Sequence, residues 1–201
     1  AFLLLLIPSA LAEVLNVDAS DGDAYSTIQA AVDAAGDGDI IDIASGTYSE
    51  QVSIEAKNVT LRGAGSDTVT MQGDSDGAVL SIEDGNVYVW DVTVTGGKRG
   101  IVVRNGSVST SDVLIQGNEG GARGGGVAVL DGSVATLQNT LVDGNASEDG
   151  GGLYVAEDAS AIIEGGTISD NTATGSGGGI HAAGTLSMTD ATLSANTADG
   201  N

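Results

Sequence analysis

Cysteine is absent from all 201 residues, which excludes disulfides, thiolate metal sites and a lipid-modified cysteine behind a leader. Basic residues are scarce: six Lys and Arg stand against 28 Asp and Glu, a net charge of −22. That balance argues against nucleic acid, whose phosphates need a basic surface, and against unaided docking on anionic lipid. The acid is spread along the chain and not gathered in a tail. Solvation is its first use, with a saline habitat or loosely held calcium as further ones. Long apolar runs are missing outside residues 1–12, AFLLLLIPSALA, and that run is too short to span a bilayer. Its apolar stretch, Pro8 and the small-residue end Ala10-Leu11-Ala12 read as the back half of a secretory signal cut before Glu13. No initiating Met or basic segment precedes the run, and the last repeat stops without a cap, so a fragment of a longer exported protein is expected.

Proline occurs once and aromatic residues make up 3%, whereas glycine supplies 32 residues. Glycine is not at every third position, which rules out a collagen helix. It marks a longer period instead. Gly77, Gly100, Gly126, Gly152 and Gly179 each open a short apolar strand, and the segments between them are near copies of a unit of 23 to 27 residues. A period of this length means one supersecondary unit stacked many times, each too small to bury its own apolar face.

Each unit carries two strand patterns. After the glycine, apolar residues alternate: Ile101 and Val103, Val127 and Val129, Leu153 and Val155, Ile180 and Ala182. A period of two predicts that these point inward. The second pattern has two apolar residues, a three-residue step, then two more: Val87, Val89, Val92, Val94; Val108, Thr110, Val113, Ile115; Leu186, Met188, Ala191, Leu193. The odd step predicts a corner that keeps side chains inside. A column of asparagines, Asn118, Asn145, Asn171 and Asn196, closes four successive units. Asn tolerates the left-handed turn conformation, and its amide can bond to the same group one rung away, about 4.8 Å distant. A hydrogen-bonded ladder is expected.

From Tyr25 to Gly65 the chain reads YSTIQAAVDAAGDGDIIDIASGTYSEQVSIEAKNVTLRGAG. Ser26 or Thr27 is a fitting helix cap, and Ile28, Ala31, Val32 and Ala35 fall on one helical face. This order of short helix, apolar strand, GTY turn, V-x-I strand and T-L-x-G-x-G strand resembles the N-terminal cap of the right-handed parallel β-helix superfamily of pectin lyase-like proteins. The later G-G-G-[VLI] and [TL]-x-x-N phrases resemble the repeats of bacterial polymorphic outer membrane proteins. The resemblance implies an all-β, single-stranded right-handed parallel β-helix over residues 13–201, with a short capping α-helix over its open end.

Inward positions are aliphatic, so chemistry must come from loops. Asp74 and Asp76, Lys98 and Arg99, Arg123, and Glu148 and Asp149 precede successive starter glycines and become vertical neighbours in a coil. One reading resembles a pectate lyase site, with acids holding calcium against a uronate and Arg or Lys taking the proton α to the carboxylate. The other is a stack of surface ion pairs, each worth ~0 to 1 kcal/mol. The lyase family's longer loops and signatures are absent. So are the N-T-D, D-D and G-H-G segments of polygalacturonase-like hydrolases.

His181, the one histidine, stands two residues after Gly179, as Tyr154 does after Gly152. Both are expected to face outward and stack. Tyr88 and Trp90 alternate with inward Val87 and Val89, placing two rings outside where a sugar or a partner protein could stack. Asp18, Asp21 and Asp23, like Asp74 and Asp76, lack the spacing of a calcium loop. Asn58, Asn105 and Asn145 head glycosylation sequons that matter only in a glycosylating host.

The sequence therefore assigns no catalytic and no cofactor-binding residue, and leaves a metal open. It reads as a secreted or cell-surface (outer-membrane) scaffold of adhesion or passenger type. Its partners would be extracellular polysaccharide or surface protein, with no nucleic acid and no membrane insertion by this segment. The alternative is a calcium-dependent polyuronate lyase.

Overall fold

A computed structural model describes residues 11–20, 22 and 24–200. The leader expected over residues 1–12, but for its last two residues, lies outside them, as do Asp21 and Asp23. The chain coils into a right-handed solenoid in which every strand pairing is parallel. One sheet has eight strands: Val14–Val17, Ile40–Ile43, Asn58–Gly63, Asn86–Trp90, Ser107–Ser111, Val134–Gln138, Ser160–Glu164 and Thr185–Thr189. A second has seven, from Gly46–Ser49 to Thr192–Ser194, and a third six, from Val52–Glu55 to Ile180–Ala182. A fourth, of four short strands, begins only at Glu119–Arg123 and continues through Ala146–Asp149, Thr172–Ala173 and Thr197–Ala198.

Register makes the alternating apolar residues into columns. In the first sheet Val59, Val87, Val108, Ala135 and Ala161 are successive partners, each at most 2% exposed. In the third sheet Val52, Leu80, Ile101, Val127 and Leu153 do the same. Each such side chain removed from water contributes about 1.5–3 kcal/mol before chain entropy is charged against it. The last rung departs from this pattern. Leu186 and Ile180 are half-buried, and Met188 and Leu193 reach 36% and 49% exposure.

The corner predicted from the three-residue step is made by a residue in the left-handed region. Asp91, Asp112, Asn139 and Asp190 occupy it with φ of 55°, 55°, 45° and 53°, and short Asp and Asn bear that conformation best among residues with a Cβ. The asparagine column required a correction. The left-handed residue at that corner is the one before each asparagine, Gly117, Gly144, Asp170 and Ala195. The asparagines build the ladder: Nδ2 of Asn118, Asn145 and Asn171 donates to Oδ1 of the next at 3.0, 3.0 and 2.9 Å.

At the N-terminal end the helix Ile28–Ala34 closes the coil with Ile28, Ala31 and Val32 buried. Thr27 is its cap, accepting from the Ala30 amide at 3.2 Å. Glu50 accepts from the amides of Ile28 and Gln29 at 2.8 and 2.9 Å, and the Lys57 ammonium donates to the carbonyls of Val32, Asp33 and Ala35. An acid at the amino end and a cation at the carboxyl end both oppose the helix dipole. The tyrosine of the GTY turn, Tyr48, is buried and donates to the carbonyls of Ala44 and Val17 at 2.9 and 3.2 Å.

Candidate functional site

The charged loop column lands beside the fourth sheet. Arg99 opens a strand of the third sheet and Lys98 precedes it, while Arg123 and Asp149 are register partners in the fourth. Lys98 and Arg99, with Asp76, Glu119 and Glu148, border an open groove of ≈ 890 Å³. The expected stack of ion pairs is not formed. The ion pairs among the described residues are Arg62–Asp42, Arg104–Asp131 and the longer His181–Asp149 approach. Arg99 instead donates from Nε to the Arg123 carbonyl at 2.9 Å. Burial, and then the neighbouring Arg104 and Arg123 charges, hold its guanidinium below the ordinary arginine pKa. Vertical proximity failed to produce pairs because the side chains found other partners. Asp149 accepts from the Ser176 amide at 2.9 Å, and Arg123 lies over the Tyr154 ring, 5.2 Å from its centroid.

Tyr154 and His181 stack on adjacent rungs at 5.1 Å and 16°, as their offsets predicted. Their exposure is another matter. Tyr154 is 7% exposed, and Val102 and Ala128, which precede it in the same column, are buried too. The chain leaving the fourth sheet turns back so tightly that a Cβ on Gly150 would stand 3.0 Å from the Tyr154 Cα. The outer face of the third sheet is therefore partly interior. The resulting row of Arg123, Tyr154 and His181, with the Asp149 carboxylate 4.0 Å from His181 Nδ1, is a stacked structural set.

The first sheet's outer face is open. Tyr88 and Trp90 are 51% and 39% exposed with ring centroids 6.4 Å apart, edge to face. They are flanked by a bidentate pair, Arg62 Nε and Nη2 on the two Asp42 oxygens at 2.5 and 2.8 Å. That pair raises the Arg62 pKa through its hydrogen bond and its charge. It was legible and missed: aligning Ile40-Ile41-Asp42-Ile43 with Thr60-Leu61-Arg62-Gly63 places the two residues in register. Asp74 accepts from the Gln51 amide and from the backbone N–H of Asp76, closing a turn. Among the described residues no three His, Asp or Glu side chains converge as a metal site, and no helix is long and apolar enough to cross a membrane.

What the groove can do chemically is limited by its mixed walls. Lys98 and Arg99 would attract an anion, whereas Asp76, Glu119 and Glu148 would repel it. Glu119 was not singled out in the sequence. It joins the wall at the head of the fourth-sheet strand, whose register shifts between Glu119 and Gly121.

Comparison with known proteins places this architecture. The model for the family described as right handed beta helix region matches residues 44–201. A cell surface glycoprotein of the archaeon Methanothermus fervidus is 32% identical over 96 residues, which are 47% of this chain and 16% of that protein. The chain thus spans a small part of the curated relative it matches. A pectin methylesterase from Aspergillus niger superposes with a TM-score of 0.68 at 20% identity, over 94% of this chain and 69% of that one. An alginate lyase from a Paenibacillus species gives 0.61 at 16%, over 90% and 76%. At these identities the structural matches bear on the fold.

Proposed function

We propose that this chain, which belongs to the right-handed β-helix family, is a structural rung array of an exported, cell-surface protein. It displays its outer faces to extracellular polysaccharide or surface protein and does not turn over a substrate. One observation carries this reading: three of the charged loop residues, Asp74, Arg123 and Asp149, are committed to the coil's own structure. Asp149 ties the Ser176 amide, Arg123 covers Tyr154, and Asp74 closes its own turn. The relative named a cell surface glycoprotein supports the location. The acidic surface, net −22, suits a soluble face turned to the outside.

A polyuronate lyase is the second reading. It is favoured by Lys98 and Arg99, which line the groove and have no carboxylate partner among the described residues. The purified chain, incubated with polygalacturonate or alginate and calcium, should release no unsaturated product. Robust release, abolished by Arg123→Ala in a variant that keeps its fold, would replace the scaffold with the enzyme. Protease accessibility of the full-length protein on intact cells tests the location separately. Complete protection there, with digestion only after lysis, would remove the surface assignment.

A further inference from the structure

The sequons Asn58-Val59-Thr60, Asn105-Gly106-Ser107 and Asn145-Ala146-Ser147 are equivalent as sequence. Their surroundings are not. N-linked glycosylation bonds a sugar to the side-chain amide nitrogen, so an acceptor must present Nδ2 to solvent and be free to give up one of its two N–H groups.

Asn145 meets neither condition. It is fully buried, and both of its N–H groups donate, to the Ile115 carbonyl at 2.9 Å and to Asn171 Oδ1 at 3.0 Å. Asn58 is exposed, but its main chain is held on both sides. Its N–H donates to Asp37 Oδ1 at 3.0 Å, and its carbonyl accepts from Gly38 at 2.6 Å. Its Oδ1 also takes two bonds from Asn86, at 2.6 and 3.2 Å, so the amide plane is fixed although Nδ2 bonds to nothing among the described residues.

Asn105 is different. It sits exposed, with φ of 49°, in the two-residue turn between the strands Arg99–Arg104 and Ser107–Ser111. Its backbone N–H donates to the Asp131 carbonyl at 3.2 Å, and its side chain bonds to nothing among the described residues. The exposed turn offers the acceptor, with the Ser107 hydroxyl two residues along the chain. That hydroxyl, half-buried, donates to Asn86 Oδ1 at 2.7 Å.

We propose that Asn105 is an N-glycosylation site of this protein, that Asn58 is a poorer acceptor, and that Asn145 is none. The co-reactant is an oligosaccharide carried on a lipid phosphate or pyrophosphate and presented by a membrane-bound oligosaccharyltransferase. The Asn105 Nδ2 forms a bond to the anomeric carbon, the bond from that carbon to the phosphate oxygen breaks, and the lipid phosphate leaves with the electron pair. The amide proton passes to a base of the transferase. No redox change is involved, and the amide carbonyl is retained. The inference rests on the surface reading only in that the chain must be exported to meet the transferase in the cell.

The test uses the full chain, folded or denatured, with a purified single-subunit archaeal oligosaccharyltransferase and its lipid-linked oligosaccharide, and maps glycopeptides by mass spectrometry. The folded chain should gain a glycan at Asn105, less at Asn58 and none at Asn145, while the denatured chain accepts at all three. Ser107→Ala, a change on the outer face, should remove the Asn105 glycan and leave the Asn58 one. A folded chain that stays bare at Asn105, or that takes glycan at Asn145 as readily, overturns the inference. Because transfer to purified chain needs no export, either result leaves the surface reading to its own experiment.

Discussion

Before Gly100 each turn of the coil is closed by its own device: a capped helix, the Tyr48 hydroxyl, the Arg62–Asp42 fork, the Asp74 turn. After Gly100 one device recurs. An asparagine bonds to the next rung's asparagine, and the following starter glycine packs its bare Cα against the glycine of the rung beyond. The first region buys rigidity with unrelated contacts, any one of which can be altered without a partner elsewhere. The second depends on copies agreeing with one another. Stability should therefore be local in the first half and cooperative along the column in the second.

The largest expected effect breaks that column from inside. Asn145→Ala leaves the Asn118 N–H without its acceptor and takes one bond each from the Ile115 carbonyl and the side-chain amides of Asn118 and Asn171, in a dry interior. Each unmet buried group costs about 1–3 kcal/mol, and water can recover some of them, so a loss on the order of 4 kcal/mol is expected in urea unfolding. Asn196→Ala removes the same side chain from the last rung, where the Asn171 bonds are only partly buried. It should cost about 1 kcal/mol. Equal losses at the two positions would show that the ladder is a row of independent bonds.

The starter glycines give the second test. A Cβ on Gly126 would stand 2.6 Å from the Gly152 carbonyl oxygen and 2.8 Å from Val142 Cγ1, neither of which can move without shifting a rung. Gly126→Ala should cost about 2–3 kcal/mol by overpacking. At Gly77 the nearest atom, 2.8 Å away, is the end of the Gln51 side chain. That amide can swing aside, so Gly77→Ala should cost less than about 1 kcal/mol. Thermal unfolding of the two variants distinguishes a repeated close approach from a shared residue type. The same letter recurs at the same offset, and the physical demand on it does not.

This difference also explains what could be read from the chain. Periodic apolar positions, the corners and the asparagine ladder were legible after Gly77 because four copies of one solution outvote chance. The helix and its Thr27 cap were legible by local rules. Lys57 and Glu50 as dipole partners of that helix were not, since they come from the next rung and occur once. Along the charged column the order of charges gave vertical neighbours correctly, as Arg123 and Asp149 show. It could not give pairing, which is decided by side-chain reach and by competing amides and rings. Tyr154 was placed on the outer face by its offset, yet the fold of the neighbouring loop, invisible to a period of two, buried it.

The smallest effect belongs to the first region and is set by pH. The Tyr48 phenol has its pKa raised by burial first, and then by the charges of Asp18 and Glu50. The native state thus keeps a proton that the unfolded chain begins to release near its ordinary pKa of about 10. Above that pH the unfolded state binds fewer protons, so the Tyr48 contribution is intact below about pH 10 and declines as pH rises through the folded value. Tyr48→Phe loses one hydroxyl shared between the Ala44 and Val17 carbonyls, about 1 kcal/mol at neutral pH. The gap between wild type and variant in urea unfolding should hold steady to about pH 10 and close above it. A gap that stays constant through the alkaline range would mean that the phenol ionises alike in both states. The corner at the GTY turn would then be open to water, and the capped end no more protected than the last rung at the other end of the coil.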